Sequence, residues 1–582
     1  MHNVLKPYLA TDVYKVGHCQ MYPEQMDFLY SNFTPRSNTY YKGSSLYDGK
    51  SVMIGLQGLL KWLDQLWNDE FFERPLEKSL KHYRQVVGKI LNISPDQVYV
   101  KHLEKLHHLG YMPLRIFALP EGSVVDMKVP VMTIHNTVSG FGWLVNYLET
   151  ILSAGLWNAC VGATIARDYK TVLTKAAIDT GAPVGFVDYQ GHDFSYRGQT
   201  PQDVMYKSFG HLSSFVGTDT IPAILFADAY YGCSGQVGSS VMATEHSVAC
   251  SNIAMWQQKL NCDLYTAEKE FLRDYITRIV PTGIASYVSD TFDFFGVIDR
   301  IAPELEHEIM SRNGKVVFRP DSGCPVKILT GYHLYSTGLV NELPYHNVIG
   351  VHGNVFDHDL VEALLDGEYE AIALNHHGVV EYYELVYAEQ ENGDYFIKIG
   401  KQLPECEALG AVETLYKHFG GDVNEHGYVT LDQHVGLIYG DSITIERAEL
   451  IMKRLKDKGF ASDNVVFGIG SFTYQYNTRD TFGYAMKATA MKMSGDMEFT
   501  PLQKDPKTGD GLKKSARGLL DVYEDPSDGK LFMVDNLTTE QWEGGQNGDA
   551  MSAMQVVYDD GFFVNQSTLD DIRQRINESI NF

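Results

Sequence analysis

The sequence predicts an α/β fold built on a mostly parallel sheet, either open or closed into a barrel. Four short apolar runs predict buried strands, and each ends in a charged or glycine-rich tip that is mostly followed by helix-like sequence. Strands that alternate with helices pair in parallel through right-handed crossovers. Because ligands bind at the carboxyl ends of such strands, we expect the tips to meet at one polar site. The strand–tip units are 284–290, 315–323, 435–441 and 465–471.

The helix after the third of these tips has the most complete sequence signature. Thr444 is the predicted N-cap, and Gly459 stands where a helix-ending glycine belongs. Between them the apolar residues fall at the spacing i, i+3, i+4 and i+7, which indicates one buried helix face. These residues are Ala448, Ile451, Met452 and Leu455.

The segment 331–433 interrupts the alternation of strands and helices. It is rich in Tyr, Glu, Asn and Gly, and Asn392-Gly393 lies between two β-like runs. An Asn-Gly pair in that position is a hairpin signal. We therefore predict a β-rich insertion within the domain that carries the four tips.

The composition argues against several classes of partner and location. The formal net charge is −26, whereas nucleic acids and anionic membranes attract positive surfaces, so we expect neither as a partner. The seven cysteines form no C-x-x-C pair, which is typical of reduced thiols and not of a zinc ribbon or a disulfide framework. The N-terminus shows no apolar signal region, and no apolar run is long enough to cross a membrane. We expect a cytoplasmic protein.

Two segments ahead of the first tip carry reactive groups, and each has a structural alternative. Residues 191–198 combine an imidazole, a carboxylate, two aromatic rings and a guanidinium. The His192-Asp193 pair is compatible with a metal-dependent phosphohydrolase, and a buried structural loop is the alternative. Asp219 can serve a ligand, or it can cap the helix that follows it.

A third segment ahead of the first tip, and two of the tips, add a second group of candidates. Glu245-His246 offers a nucleophilic imidazole beside a carboxylate, or else a satisfied interior histidine. Arg319 and Asp321 flank a proline, and this rigid polar turn suits the recognition of anions and hydroxyl groups. Gly468-x-Gly470-Ser471 can cradle a phosphate on backbone N–H groups, although a bare G-x-G is weak evidence. Together these groups fit a phosphorylated sugar joined to an aromatic ring.

A set of short blocks, in a fixed order along the chain, carries a resemblance to a known family. The blocks are 10–15, 192–198, 217–220, 245–247, 288–290, 319–323, 440–441, 467–468 and 478–480. With them the chain resembles the nicotinamide phosphoribosyltransferase family of type II phosphoribosyltransferases. This family makes nicotinamide mononucleotide and pyrophosphate from nicotinamide and phosphoribosyl pyrophosphate, in NAD salvage.

The resemblance implies a fold and an assembly. Residues 161–484 would form an irregular α/β barrel, with 331–433 inserted in it. Residues 1–160 and 485–582 would together form a second, sheet-containing α+β domain. The family's active sites lie at a dimer interface, so the resemblance implies a homodimer in which each site uses both subunits.

The resemblance also implies how the pyridine ring is bound. Phe194 of one subunit and Tyr14 of the other would sandwich the ring, while Arg197 and Arg319 line its pocket. Asp219 would accept a hydrogen bond from the carboxamide NH₂ of nicotinamide.

The resemblance assigns the sugar and phosphate groups to polar and basic residues in several parts of the chain. Residues implied for the ribose and the phosphate loop are Asp321, Gly440, Asp441, Gly470 and Ser471. Residues implied for phosphate and pyrophosphate are Arg36, Arg479, Lys487 and Lys504. Ser471 stands where the family usually has a further glycine, so the geometry of this loop departs from the family pattern.

The implied catalytic residues are His246, Asp290 and Asp321. His246 would be phosphorylated by ATP and oriented by Asp290, and the phosphohistidine can couple ATP hydrolysis to tighter substrate binding. Mg²⁺ would be carried by the pyrophosphate group, with no protein ligand directly assigned.

Asp219 determines which base we expect. A carboxylate there accepts from the NH₂ of nicotinamide but repels the carboxylate of nicotinate, by about 1 kcal/mol at about 4 Å in water and several-fold more in a dry pocket. The related nicotinate enzymes carry Ser at this place, which favours nicotinamide here. Two alternatives remain: a nicotinate phosphoribosyltransferase with the same fold, and a catalytically silent relative that acts as a binding protein. The silent relative should lack His246, Arg319 or Asp321, and all three are present.

Overall fold

A computed structural model describes residues 5–339, 348–351, 368–376, 378–391, 394–440, 443–507 and 514–582. The chain divides into two compact units. Unit 1 comprises Met1–Thr171, Asp193–Ser239 and Ser471–Phe582, and unit 2 comprises Val172–His192 and Ser240–Gly470. The domain bounds expected from the sequence stay a prediction.

Unit 1 is built on a seven-stranded sheet with antiparallel pairing between its main strands. Its long strand Met26–Thr34 pairs with a neighbouring strand on each side and is largely buried. On this strand Tyr30 packs against Ala490 and against Leu519 and Leu520 of a two-stranded hairpin. The strands, in order across the sheet, are Thr500–Pro501, Ala485–Met493, Met26–Thr34, Met132–Asn136, Leu114–Ala118, Gln555–Asp559 and Phe562–Phe563.

The remaining elements of unit 1 are helices and short ladders. Helix Leu56–Trp67 buries one apolar face, because its leucines recur with helical spacing. Three two-stranded ladders pair Ser51–Val52 with Val124–Val125, Leu519–Glu524 with Leu531–Leu537, and Gln546–Asn547 with Ala550–Met551. The α-helices are His18–Met21, Leu56–Trp67, Leu76–Leu91, Lys101–Leu109, Gly142–Tyr147, Glu149–Thr180 (which continues into unit 2), Asp203–Leu212, Ile221–Tyr230, Ser471–Gln475, Thr539–Gly544 and Leu569–Glu578.

Unit 2 contains the predicted parallel sheet. All four strands predicted from the tips are observed side by side, and they pair in parallel with one another and with the short strand Met242–Ala243. Val435–Tyr439 is buried along its whole length, as expected of a parallel strand covered on both faces. The predicted α/β class is therefore confirmed. In order across the sheet the strands are Gly191–Asp193, Val465–Ile469, Val435–Tyr439, Asn313–Arg319, Thr282–Val288 and Met242–Ala243.

The helix predicted after the third tip spans Ile445–Asp457. The Thr444 side chain accepts a hydrogen bond from Arg447 N, so it is the N-cap as predicted. Gly459 follows the helix with a φ of +79°, the left-handed conformation that favours glycine. The predicted buried residues of this helix are buried.

Between 331 and 433 the described residues include a five-stranded sheet. Its two longest strands, Val379–Glu391 and Asp394–Leu403, pair antiparallel with Glu391 opposite Asp394. The turn predicted at Asn392-Gly393 lies outside the described residues. Across the sheet the strands are Leu334–Leu339, Ala371–His376, Val379–Glu391, Asp394–Leu403 and Val348–Val351. A short ladder pairs Gly421–Val423 with Val429–Leu431.

The other α-helices of unit 2 connect these strands. Among the described residues they are Val187–Gln190, His246–Leu260, Leu264–Asp274, Phe294–Gly296, Ala302–Glu304, Glu306–Met310, Pro325–Thr330, Glu405–Leu409 and Ala411–Phe419. Across the described part of the chain, no helix combines the length and the apolar character that crossing a membrane requires.

We predict that Ile451→Ala destabilises unit 2 by about 2–5 kcal/mol, because the side chain is fully buried and its removal leaves a cavity. The neighbouring Leu450→Ala is the matched control, since Leu450 is 40% exposed on the same helix. Calorimetric unfolding of the two variants measures the difference. Equal shifts of the unfolding temperature would contradict the assigned burial of this helix face.

Candidate active site

Hydrogen bonds join the ends of three strands in unit 2. Asp290 and Asp321 each lie two residues beyond a strand, and Gly440 directly follows Val435–Tyr439. Asp321 N donates to Asp290 Oδ2 at 2.8 Å, and Gly440 N donates to Pro320 O at 2.9 Å. The convergence predicted for the four tips is observed for these three, and it places carboxylates at the carboxyl edge of the parallel sheet.

The two carboxylate oxygens of Asp290 differ in their hydrogen bonding. Its Oδ2 accepts from Asp321 N and, at 2.7 Å, from Ser322 Oγ. Its Oδ1 is buried and has no hydrogen-bond donor among the described residues. A buried acceptor without a donor costs about 1–3 kcal/mol. This oxygen is therefore set to accept a hydrogen bond from a group that approaches it.

The group nearest to that oxygen is the imidazole of His246. His246 begins helix His246–Leu260, and its Nε2 lies 3.8 Å from Asp290 Oδ1 and 3.9 Å from Asp321 Oδ2. Its Nδ1 lies 3.2 Å from Thr291 Oγ1. Two carboxylates beside Nε2 favour a proton on that nitrogen, which leaves the lone pair on Nδ1. The side chain is 47% exposed, so the interior-histidine alternative is wrong.

Arg319 is the last residue of strand Asn313–Arg319. In the sheet this strand lies between Thr282–Val288 and Val435–Tyr439. The backbone N of Arg319 donates to Ser289 Oγ at 3.2 Å, and its Nη2 donates to Thr244 O at 3.0 Å. Its Nε is buried and has no acceptor within the described ranges. The guanidinium is thus fixed at one end while a second donor remains for a ligand oxygen.

Gly440 allows two tips to approach closely. A Cβ at this position would lie 2.5 Å from Asp321 Oδ1, so any side chain would displace the carboxylate. Asp441, predicted to hold ribose hydroxyls, lies outside the described residues. Gly470 directly follows the strand Val465–Ile469, as the predicted phosphate loop requires.

In unit 1 the backbone joins the segments that carry Phe194 and Asp219. Asp193 N donates to Gly217 O at 3.1 Å, and Asp219 N donates to Asp193 O at 3.0 Å. Phe194 is half-buried there and the Asp219 side chain is exposed. Thr220, the residue after Asp219, occupies the N-cap position of Ile221–Tyr230, and the choice between a ligand role and a capping role for Asp219 stays a prediction.

Arg197 and Ser471 are also neighbours in unit 1. The turn Tyr196–Gly198 lies against the start of helix Ser471–Gln475, so closely that a Cβ on Gly198 would lie 2.1 Å from Ser471 Cβ. Glycine at 198 therefore allows the exposed Arg197 to lie near Ser471, which is predicted to belong to the phosphate loop.

The four basic residues predicted to bind phosphate influence one another in unit 1. Burial lowers the pKa of Lys487, the charges of Arg36, Lys504 and Arg479 lower it further, and Glu149 opposes them. Burial also lowers the pKa of Arg36, with a contribution from Arg479. Arg36 and Lys487 line an open pocket of about 280 Å³. Cations gathered against their mutual repulsion have the charge that attracts a multivalent anion, so the predicted phosphate role of these residues stays a prediction.

Tyr14 lies in the turn Val13–Gly17 and is 65% exposed. Its ring centroid is 5.5 Å from that of His18. An exposed aromatic ring on an anchored turn is free of its own hydrophobic core and is suited to stacking against a ligand.

Comparisons with known proteins place these features in a family. The family model described as the nicotinate phosphoribosyltransferase (NAPRTase) family matches residues 189–375 and 387–561. The chain belongs to this family. A nicotinamide phosphoribosyltransferase from Acinetobacter baylyi is 40% identical over 584 residues, which cover 99% of this chain and 98% of that protein. One from Mycoplasma pneumoniae is 28% identical, over 89% of this chain and 97% of its own. The solved human nicotinic acid phosphoribosyltransferase aligns with 98% of this chain and 93% of its own, at 12% identity and a TM-score of 0.47.

Sequence reasoning about this family member missed several polar neighbours of the site. Thr291 and Ser322 directly follow the predicted Asp290 and Asp321, and their hydroxyls contact His246 and Asp290. A hydroxyl residue next to a tip carboxylate was the available signal. Glu149 gave no local signal, because its contacts with basic side chains join distant parts of the chain.

The carboxylates present fit a role beside Mg²⁺ without forming a closed metal site. Within the described ranges no group of three or more His, Cys, Asp and Glu side chains is arranged to hold a metal ion. Mg²⁺ commonly uses one or two carboxylates, waters and substrate phosphates. Asp321, whose side chain is 30% exposed, has the oxygen chemistry for that role. Mg²⁺ carried by pyrophosphate remains the prediction.

We predict that pyrophosphate affinity falls as the pH rises towards the lowered pKa of Lys487, which lies below its ordinary 10.5. The ammonium must keep its proton to attract the anion, so the loss occurs on the alkaline side. Calorimetric titration with inorganic pyrophosphate between about pH 7.5 and pH 10 measures it. Lys487→Arg is the control, since a guanidinium stays charged throughout and the ligand's own ionisation is common to both proteins. A parallel pH dependence in both proteins would contradict the role of Lys487.

Proposed function

We propose that this protein is a nicotinamide phosphoribosyltransferase, which forms nicotinamide mononucleotide and pyrophosphate from nicotinamide and phosphoribosyl pyrophosphate in NAD salvage. The observation that carries the proposal is the cluster of His246, Asp290, Arg319 and Asp321 at the meeting strand ends. Support comes from the chain's 40% identity to a protein named as such an enzyme. The intact cluster argues against a catalytically silent relative.

The reaction requires separated charge to be stabilised. The ring nitrogen of nicotinamide attacks C1 of the ribose, the C1–O bond breaks, and its electron pair leaves with pyrophosphate. The transition state resembles an oxocarbenium ion, so the protein needs electrostatic groups in fixed positions more than a strong base. Mg²⁺, when bound, would neutralise part of the charge of the departing pyrophosphate.

The predicted site residues divide this task by their chemistry. Arg36, Arg479, Lys487 and Lys504 would receive the phosphate and pyrophosphate groups. Asp321 would hold a ribose hydroxyl, as would Asp441. Phe194 and Tyr14 would stack on the ring, and their faces would attract the product's pyridinium with about 0.5–2 kcal/mol. Arg197 and Arg319 would line the ring pocket, and Asp219 would accept from the carboxamide.

The histidine would couple the reaction to ATP. Its Nδ1 would attack the terminal phosphorus of ATP, the bond to the bridging oxygen would break, and ADP would leave. Asp290 Oδ1, buried without a donor among the described residues, would accept from Nε2–H of the phosphorylated imidazole. Thr291 Oγ1, 3.2 Å from Nδ1, would contact the phosphoryl group. Water would later hydrolyse the phosphohistidine. Coupling follows if the phosphorylated state binds substrate more tightly.

The proposed active form is a homodimer in the cytoplasm. The resemblance assigns Tyr14, Arg479 and Lys487 to the site of the other subunit. The 65% exposure of Tyr14 supports this assignment, because a ring reserved for its own core would be buried. A monomer would then have no complete site.

Product formation from nicotinamide, phosphoribosyl pyrophosphate and Mg²⁺, beside a nicotinate reaction, tests the proposal. We expect nicotinamide mononucleotide, with a yield that ATP raises. The His246→Ala variant should keep a basal rate and lose the rise with ATP. Product from nicotinate alone would reverse the choice of base. No product from either base would overturn the proposed activity.

We predict that Asp219→Ser shifts the preference between nicotinamide and nicotinate towards nicotinate by at least about five-fold, which corresponds to removing about 1 kcal/mol of repulsion. The ratio of the two kcat/KM values measures the shift. Asp228→Ser is the matched control, since Asp228 is an exposed aspartate on the helix that follows. An unchanged ratio in Asp219→Ser would show that another residue selects the base.

A further inference from the structure

Glu149 lies between two groups that the proposed function uses. It is the first residue of helix Glu149–Thr180 in unit 1. Its Oε2 accepts from Lys15 Nζ at 2.6 Å, and its Oε1 lies 3.8 Å from Lys487 Nζ. The carboxylate side chain is 26% exposed, while that of Lys15 is 3% exposed. One carboxylate therefore faces two lysines from distant parts of the chain.

The first lysine anchors the turn that presents Tyr14. Lys15 Nζ also donates to Asn146 O at 2.8 Å, and it lies 5.7 Å from the centroid of the Tyr14 ring. Two further hydrogen bonds fix the same segment: Thr11 Oγ1 donates to Tyr147 O at 2.8 Å, and Thr150 Oγ1 donates to Asp12 Oδ2 at 2.6 Å. The position of Tyr14 thus depends on the start of the Glu149 helix.

The second lysine belongs to the phosphate-binding cluster. Lys487 Nζ donates to Met486 O at 2.7 Å, and its side chain is 35% exposed. Arg36, Lys504 and Arg479 oppose its charge, whereas Glu149 favours it. Without an anion, the Glu149 carboxylate is the group that offsets the repulsion on this ammonium. A bound phosphate would compete with Glu149 for it.

We propose that Glu149 is a positioning residue that couples the ring-stacking Tyr14 to the phosphate-binding Lys487. This inference rests on the proposed function, in which both side chains are contributed by one subunit to the site of the other. When pyrophosphate or phosphoribosyl pyrophosphate engages Lys487, the carboxylate is left to Lys15 alone. Its hold on Lys15 strengthens, and the Tyr14 turn becomes more fixed. Phosphate binding thereby improves ring binding, and by linkage ring binding improves phosphate binding.

The neutral variant Glu149→Gln separates this role from a merely structural one. The amide oxygen still accepts from Lys15 but no longer offsets the charge of Lys487. We expect pyrophosphate to bind at least about five-fold more tightly, because its internal competitor is gone, and the KM for nicotinamide to rise by a similar factor. Shifts in opposite directions are the signature, since simple loss of structure would weaken both.

The experiment combines calorimetric titration of the whole protein with inorganic pyrophosphate and steady-state kinetics with nicotinamide. Glu77→Gln is the matched control, because Glu77 is an exposed glutamate in the first turn of helix Leu76–Leu91 and the change in net charge is the same. Lys487→Met and the variant that combines it with Glu149→Gln complete a double-mutant cycle. In the Lys487→Met background, Glu149→Gln should leave pyrophosphate affinity unchanged.

Each outcome decides between definite alternatives. Weaker pyrophosphate binding in Glu149→Gln, or an equal gain in Glu77→Gln, would overturn the inference. If Glu149→Gln unfolds, Glu149→Asp replaces it: the charge is kept but the reach is shortened, so both lysine contacts weaken, and smaller shifts in the same opposite directions are expected. If no product forms from nicotinamide, the proposed function fails, while the pyrophosphate titrations still show whether Glu149 competes for Lys487.

Discussion

The hydrogen bond from the Asp321 backbone to Asp290 Oδ2 is the contact on which the site of unit 2 depends. It joins the ends of two adjacent parallel strands, and Ser322 Oγ adds a second donor to the same oxygen. With one oxygen satisfied in this way, the other is turned towards His246. The close approach at Gly440 continues the arrangement to the third strand. Parallel strands supply the framework, and a shared carboxylate fixes the spacing of their tips.

Electrostatics in unit 1 follow local geometry and not the overall composition. The chain carries a formal charge of −26, yet basic side chains gather closely enough that Arg479 lowers the pKa of Arg36, while Arg36, Lys504 and Arg479 lower the pKa of Lys487. For Arg36 and Lys487 alike burial is the larger cause, because it removes the water that would otherwise solvate the charged form. An acidic protein can thus bind a multivalent anion at one place while its surface as a whole repels polyanions.

The features predicted well from sequence are those with local causes. Helix Ile445–Asp457 was predictable because its cap, its apolar spacing and its terminal glycine lie within one short segment. The parallel strands were predictable because each is a buried apolar run with a marked tip. The link between Asp193 and Asp219, and the shared use of Glu149 by two lysines, were not predictable from composition or periodicity. They depend on which distant segments the fold brings together, and no pattern within a single segment records that.

The two oxygens of Asp290 have opposite effects on stability, and this bears on how the protein can be engineered. Oδ1, buried without a donor among the described residues, lowers the stability of the folded chain, whereas Oδ2 stabilises it by accepting two hydrogen bonds. An apolar side chain of similar shape would relieve the first cost, but it would leave Asp321 N and Ser322 Oγ without their acceptor. A more heat-resistant variant therefore has to supply a donor to Oδ1 and keep the carboxylate.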